Sequence, residues 1–152
     1  MNLKSSSQFR SPPTKPPRPS EKRGYFFPKK LPVRNNLDGT WTLLRQLHYI
    51  SRDGRRFDVP KFFRTDFGSI PRPLQGLPGL QPNGTPADPC YVLHDWFYKN
   101  LRRYGPRAVC TKEQADRLLL QSLKDNGITF LRRWTIYLGV VIGGTRATRR
   151  RE

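Results

Sequence analysis

Between Thr40 and Phe63 apolar side chains recur at alternate positions: Trp41, Leu43, Leu47 and Tyr49, then Phe57, Val59 and Phe63 after an interruption at Asp53-Gly54. A period of two puts such residues on one face of a strand, so this stretch predicts a β-hairpin with one buried face. Asp-Gly favours a two-residue loop, in which both residues take positive φ and the turn matches the strand twist. Pro60 has no N–H to donate and ends the ladder or marks an edge. From Asp66 to Pro86 proline and glycine are too frequent for a helix or a central strand. A long irregular loop is expected there, and loops of that length in compact domains often carry function.

The pattern then turns helical. Asp88-Pro89 predicts a helix start, with Asp88 as the cap accepting from free N–H groups and Pro89 at the first helical position. The helix should run to about Tyr104, before Gly105-Pro106. Thr111-Lys112-Glu113-Gln114 reads as a capping box for a second helix that stops at Asn126-Gly127. A third is expected from Phe130 to Ile142, ending at Gly143-Gly144. The expected fold class is α+β, a small β-hairpin or antiparallel sheet packed on three helices. One globular domain over residues 31–144 lies between a basic, Pro-rich extended arm (1–30) and an Arg-rich tail (145–152).

Charge sharpens this division. The 152 residues carry a net charge of +18. Lys4, Arg10, Lys15, Arg18, Lys22, Arg23, Lys29 and Lys30 stand in the arm against one Glu, and Arg149, Arg150 and Arg151 crowd the tail. Both ends are candidates for binding a polyanion or an acidic partner, and the PxxP spacings of the arm also suit an aromatic groove; a solubilising tail is the plain alternative. No apolar run approaches the roughly 20 residues that span a bilayer. The opening Met-Asn-Leu-Lys has no apolar core of a secretory signal, so synthesis in the cytoplasm is expected and export would need another route. Two cysteines, Cys90 and Cys110, fit buried free thiols better than a disulfide scaffold.

Candidate chemistry concentrates on the first helix. Tyr91, His94 and Tyr98 share a face, and Asp95 points about 100° away. An imidazole and a carboxylate on a mostly apolar helix need partners. Two readings stay open: a structural pair pinned to loop backbone, or a general base with an adjacent cation ligand. If the first two helices form an antiparallel hairpin, Asp116 can reach His94 and orient it; alternatively, Asp116 pairs at the surface with Arg102, Arg103 or Arg117. Asp66, Ser69 and Arg72 form a second polar cluster, read either as a self-bonded turn or, with Tyr98, as the mouth of the His94 site. Cys90, His94, Cys110 and His48 make a weak zinc set without C-x-x-C spacing.

The run VPKFFRTDFGSIPR, a Pro/Gly-rich loop, LHDWFY, ADRLL and the helix WTIYLGVVIGG together resemble a family of unknown function common in tailed-bacteriophage genomes and prophages, over about residues 38 to 144. Phe62 departs from that pattern, which usually has glycine there. The resemblance implies a virion or tail protein with other virion proteins as partners, packaged nucleic acid as a further one, and a homo-oligomer in the particle. A shorter stretch of about 45 residues is similar to the phospholipase A2-like core of parvovirus capsid proteins, on Asp88 to Tyr98 and Ala115-Asp116. This second resemblance implies that His94 deprotonates water, Asp116 orients it, and Asp95 with loop carbonyls at Gly76 and Gly79 binds Ca²⁺ to cleave membrane phospholipid. The expected function is therefore a phage-encoded, virion-associated protein with a His/Asp hydrolase-like site. Its alternative is a non-catalytic virion protein whose basic arms bind neighbouring subunits or DNA.

Overall fold

The structure, a computed structural model, describes residues 24–67 and 84–149. Six short strands come first: β1 (Tyr25–Phe27), β2 (Val33–Asn35), β3 (Trp41–Leu43), β4 (Leu47–Ile50), β5 (Arg56–Val59) and β6 (Arg64–Thr65). Three helices follow: α1 (Asp88–Tyr104), α2 (Lys112–Asp125) and α3 (Phe130–Arg149). The strands make two antiparallel three-stranded sheets, ordered β1-β4-β5 and β2-β3-β6. The fold is α+β, as the sequence predicts.

The period-two residues face inward. Leu43, Leu47, Tyr49, Phe57 and Val59 are buried against Val92, Leu93 and Phe97 of α1 and Leu119 and Leu123 of α2 in one apolar core. Tyr49 and Phe57 are directly opposed in the β4–β5 ladder, their rings 6.4 Å apart, and Phe97 meets Phe57 edge-on at 5.1 Å. β5 stops at Val59, immediately before Pro60.

Four expectations are corrected. The β4–β5 connection is not a two-residue loop: Ser51 N–H donates to the Arg55 carbonyl at 2.8 Å, which leaves three residues, and Gly54 alone takes positive φ (+81°). Trp41 and Leu43 belong to the second sheet, not to the hairpin. The boundary at residue 30 falls too late, because Tyr25–Phe27 pairs with β4 as the edge strand β1. α3 does not stop at Gly143-Gly144; glycine costs a helix about 1 kcal/mol but halts it only where a turn takes over.

The helix ends follow their sequence signals with one exception. Thr111 Oγ1 accepts from Gln114 N–H at 3.3 Å and Gln114 Oε1 accepts from Thr111 N–H at 2.9 Å, closing the capping box, and Gly127 takes φ +78° beyond the end of α2. Asp88, by contrast, is the first helical residue rather than the cap. Its carboxylate reaches backward, accepting from Gly84 N–H (2.7 Å) and from the Thr85 hydroxyl (2.7 Å), and so ties the preceding turn to α1.

Phe62 has φ +67° and is largely exposed. The left-handed conformation costs a side-chain-bearing residue roughly 1–2 kcal/mol, whereas glycine adopts it freely but loses about 0.5–1 kcal/mol through its looser unfolded chain. Phe62→Gly should therefore match the wild type or exceed it by about 1 kcal/mol in urea denaturation. Gly24 is the opposite case. A Cβ there would lie 2.5 Å from Asp125 Oδ2 and 2.8 Å from the Ile50 carbonyl oxygen, so Gly24→Ala should cost about 2 kcal/mol or more on the same measurement.

Candidate functional site

α1 and α2 are joined by the 3₁₀ turn Gly105–Arg107 and pack along their lengths. The antiparallel arrangement carries Asp116, four residues into α2, across to the middle of α1. His94 Nε2 lies 2.9 Å from Asp116 Oδ1, and the Tyr98 hydroxyl donates to the same oxygen at 2.8 Å. Tyr98 is one turn beyond His94, and their rings are 4.4 Å apart. Lys112, one turn before Asp116, donates to Oδ2 at 2.9 Å. His94 and Asp116 are 7% and 4% exposed, so the pair lies below the surface.

The electrostatics of this cluster favour an ionised Asp116. Burial pushes its carboxyl up, but the bonds from His94, Lys112 and Tyr98 outweigh that and hold it below the usual carboxylate range. The Tyr98 phenol moves the other way: burial raises it first, and its bond to the carboxylate raises it further. An ionised carboxylate only accepts, so Nε2 carries the proton it donates, and in the neutral imidazole the lone pair is then on Nδ1. The arrangement can orient a base. Arg102, Arg103 and Arg117 are not the partners of Asp116. Lys112 is, and sequence reasoning passed over it, although its i, i+4 spacing to Asp116 was the available signal.

Asp95 faces elsewhere. It turns toward β6, where Thr65 hydrogen-bonds it and Asp66 acts on it electrostatically; burial pushes its carboxyl up, Lys99 and Thr65 pull it back, and Asp66 adds to the rise. Oδ2 is buried without a hydrogen bond and meets the Lys99 ammonium at 3.2 Å as an ion pair. Lys99 also donates to the Arg64 carbonyl at 2.6 Å. Asp66 is thus placed with Asp95, and Tyr98 joins the Asp116 network beside His94. Next to Asp66, Thr65 Oγ1 accepts from Phe67 N–H at 3.0 Å, and Phe67, fully buried, takes φ +60°; the turn expected of Asp66 with Ser69 runs beyond the described residues. Ser69, Arg72, Gly76 and Gly79 lie outside the described residues, as do Lys4 to Arg23 of the arm and Arg150 and Arg151. Lys29 and Lys30 line a cleft of about 730 Å³ with Tyr25, Trp41, Pro89 and Asn126, and none of His94, Tyr98, Lys112 or Asp116 lines it.

The proposed zinc set is not gathered. His48 lies on β4 against Asp58, at 2.6 Å, and His94 is committed to Asp116. Cys90 and Cys110 are free buried thiols, pushed by burial up to about 12 and about 11. Among the described residues no three His, Cys, Asp or Glu side chains are grouped to hold a metal. For calcium the donor chemistry is partial: Asp95 Oδ2, without a hydrogen bond but facing the Lys99 ammonium, is one carboxylate ligand, whereas a Ca²⁺ ion takes about six to eight oxygens.

The protein is thus a small α+β domain built around a buried His–Asp–Tyr–Lys network on a helical hairpin. Residues 41–140 match DUF1353, a family of proteins of unknown function, and the chain belongs to that family. No curated protein and no solved structure matches the chain.

Removing Asp116 tests how much the network holds. Asp116→Ala leaves buried His94 and half-buried Tyr98 without their acceptor and should cost about 3–5 kcal/mol in chemical denaturation. The pH dependence has a defined sign. Because the folded carboxyl sits below its unfolded value near 4, its contribution is complete above that pH and is lost as pH falls through the lower folded value. Thermal melts from pH 6 to pH 2 should show a steeper acid loss in the wild type than in Asp116→Asn.

Proposed function

We propose that this protein is a hydrolase whose general base is His94, oriented by Asp116, and whose substrate is an ester of phospholipid or another bond of the cell envelope. The single observation that carries this is the 2.9 Å contact of His94 Nε2 with a buried carboxylate held ionised, which in the neutral imidazole leaves the lone pair on Nδ1. The resemblance to phospholipase A2-like cores supports it through the same order of residues, a His-Asp pair with Tyr one turn on and an Ala-Asp pair on the next helix. The resemblance to phage proteins supports a virion as the place of action.

In this mechanism Nδ1 takes a proton from water, and the water oxygen attacks the ester carbonyl carbon. The tetrahedral adduct collapses by breaking the bond to the alcohol oxygen, which receives the proton back from the imidazolium. Asp116 stabilises the imidazolium while it exists, and Tyr98 and Lys112 keep Asp116 in place and ionised. Asp95 would hold calcium together with carbonyls around Gly76 and Gly79, and the ion, when bound, supplies polarisation of the ester carbonyl.

A second reading has its own observation. Asp116 is saturated by donors from both helices, which also describes a structural pin in a non-catalytic virion protein whose basic ends grip DNA or neighbouring subunits. The two part on His94→Gln, which keeps a donor in place of the imidazole. The hydrolase loses at least roughly 10²-fold in rate on a phospholipid and envelope-substrate panel, beyond what any change in melting temperature accounts for. The pin has no rate to lose. Calorimetric titration of Ca²⁺ into chelator-stripped protein should give saturable binding that Asp95→Asn removes. Deleting residues 1–23, which spares β1, should weaken DNA binding at 0.3 M salt only if the second reading holds.

A further inference from the structure

α3 carries apolar side chains on its exposed side as well as on the side that meets the core. Along Phe130 to Val141 every exposed side chain is apolar: Phe130 (65% exposed), Leu131 (78%), Trp134 (37%) and Leu138 (51%). At spacings of three, four and seven residues they form one stripe, about 12 Å long at 1.5 Å per residue. The Phe130 and Trp134 rings lie 6.1 Å apart, tilted by 56°, and Trp134 meets Tyr137 edge-on at 5.5 Å. Ile136, on the other side, packs into the core. Arg132 and Arg133 flank the stripe at intermediate exposure. Arg133 donates to the Ile128 carbonyl at 3.3 Å and holds its guanidinium 5.2 Å from the centre of the Phe130 ring, while Arg132 is half-buried with a shielded Nε.

An exposed aromatic and leucine stripe beside arginines has a defined complement. Water leaves the stripe uncompensated, and a second copy would bring two chains of +18 face to face. An anionic bilayer surface meets both needs: the rings and leucines enter the headgroup–acyl boundary, and the arginines reach lipid phosphate. Arg146 to Arg151 continue the positive charge along the chain after the stripe. No helix of the described residues is long and apolar enough to cross a membrane, so the helix would lie in the interface rather than span it. We infer that the Phe130–Leu131–Trp134–Leu138 face of α3 is a docking surface for anionic lipid. The inference stands apart from hydrolysis, since a non-catalytic protein with this face would dock equally.

The test is co-sedimentation of the full chain with vesicles of phosphatidylglycerol and phosphatidylcholine (1:3) against pure phosphatidylcholine, at 0.15 and 0.5 M NaCl. It includes a Leu131→Gln, Leu138→Gln variant, which leaves charge unchanged and removes only exposed side chains. The wild type should bind the anionic vesicles with a blue shift of Trp134 emission that Trp134→Phe abolishes, and should retain binding at 0.5 M NaCl. The double variant should bind at least tenfold more weakly at both salts with an unchanged melting temperature. Equal binding by wild type and variant would assign the attraction to bulk charge and overturn the proposal. So would a wild-type dimer in sedimentation equilibrium that the variant dissolves, because the stripe would then be a subunit interface. Loss of hydrolysis in His94→Gln with lipid binding intact separates this proposal from the catalytic one.

Discussion

The Asp116 carboxylate is the constraint on which the helical half depends. A charged group at 4% exposure is tolerable only if its oxygens are bonded, and each of its three donors comes from a fixed place in the fold. His94 and Tyr98 are successive turns of α1, and Lys112 is the preceding turn of α2. Satisfying the carboxylate therefore sets the rotation and the axial register of one helix against the other. Apolar contacts between α1 and α2 tolerate small slips, and directional bonds to one carboxylate do not. The same geometry that specifies the hairpin orients the imidazole, so in this domain the chemical arrangement and the folding constraint are one object.

A second buried carboxylate performs the corresponding task between sheet and helices. Asp125, at the end of α2 with its side chain 2% exposed, accepts from the Tyr49 hydroxyl at 3.1 Å and from Arg52 Nη2 and Nε at 2.6 and 2.8 Å. Tyr49 comes from the middle of β4 and Arg52 from the β4–β5 loop, so α2 is bonded at one end to the β1-β4-β5 sheet and near the other to α1. The Tyr49 phenol is raised mainly by burial and further by Asp125, as befits a hydroxyl kept as a donor. The apolar core fills the space between these two polar anchors.

What the sequence made legible was what local patterns determine. Alternation identified the inward faces of β3, β4 and β5, the capping box placed the start of α2, and Gly127 marked its end. The order HDW-x-Y then A-D pointed to His94 and Asp116, because helical periodicity and a short turn suffice to bring them together. What stayed hidden depends on long-range pairing. β1 and β2 are three residues each and become strands only through β4 and β3, so the Pro-rich composition around them dominates their local signal. The partition into two sheets is likewise invisible, since Leu43 and Leu47 carry the same alternation on either side of the break. Asp95 and Asp66 could not be assigned to a common side of α1 without knowing that β6 lies there, and Lys112 was overlooked because its partner's burial is a tertiary fact.

The seat of Gly24 gives β1 a mechanical meaning. The strand that follows it is only three residues long, lies at a sheet edge, and is the first described element after the basic, Pro-rich segment. Gly24 itself is packed against Asp125, the Ile50 carbonyl and the Tyr49 hydroxyl, closely enough that no side chain fits. Whatever grips the chain ahead of residue 24 therefore pulls on the shortest ladder of the sheet at the point where it touches the Asp125 anchor. Tension applied there enters the domain at the joint between its two halves, and β1 is the element placed to yield before the helices feel the load.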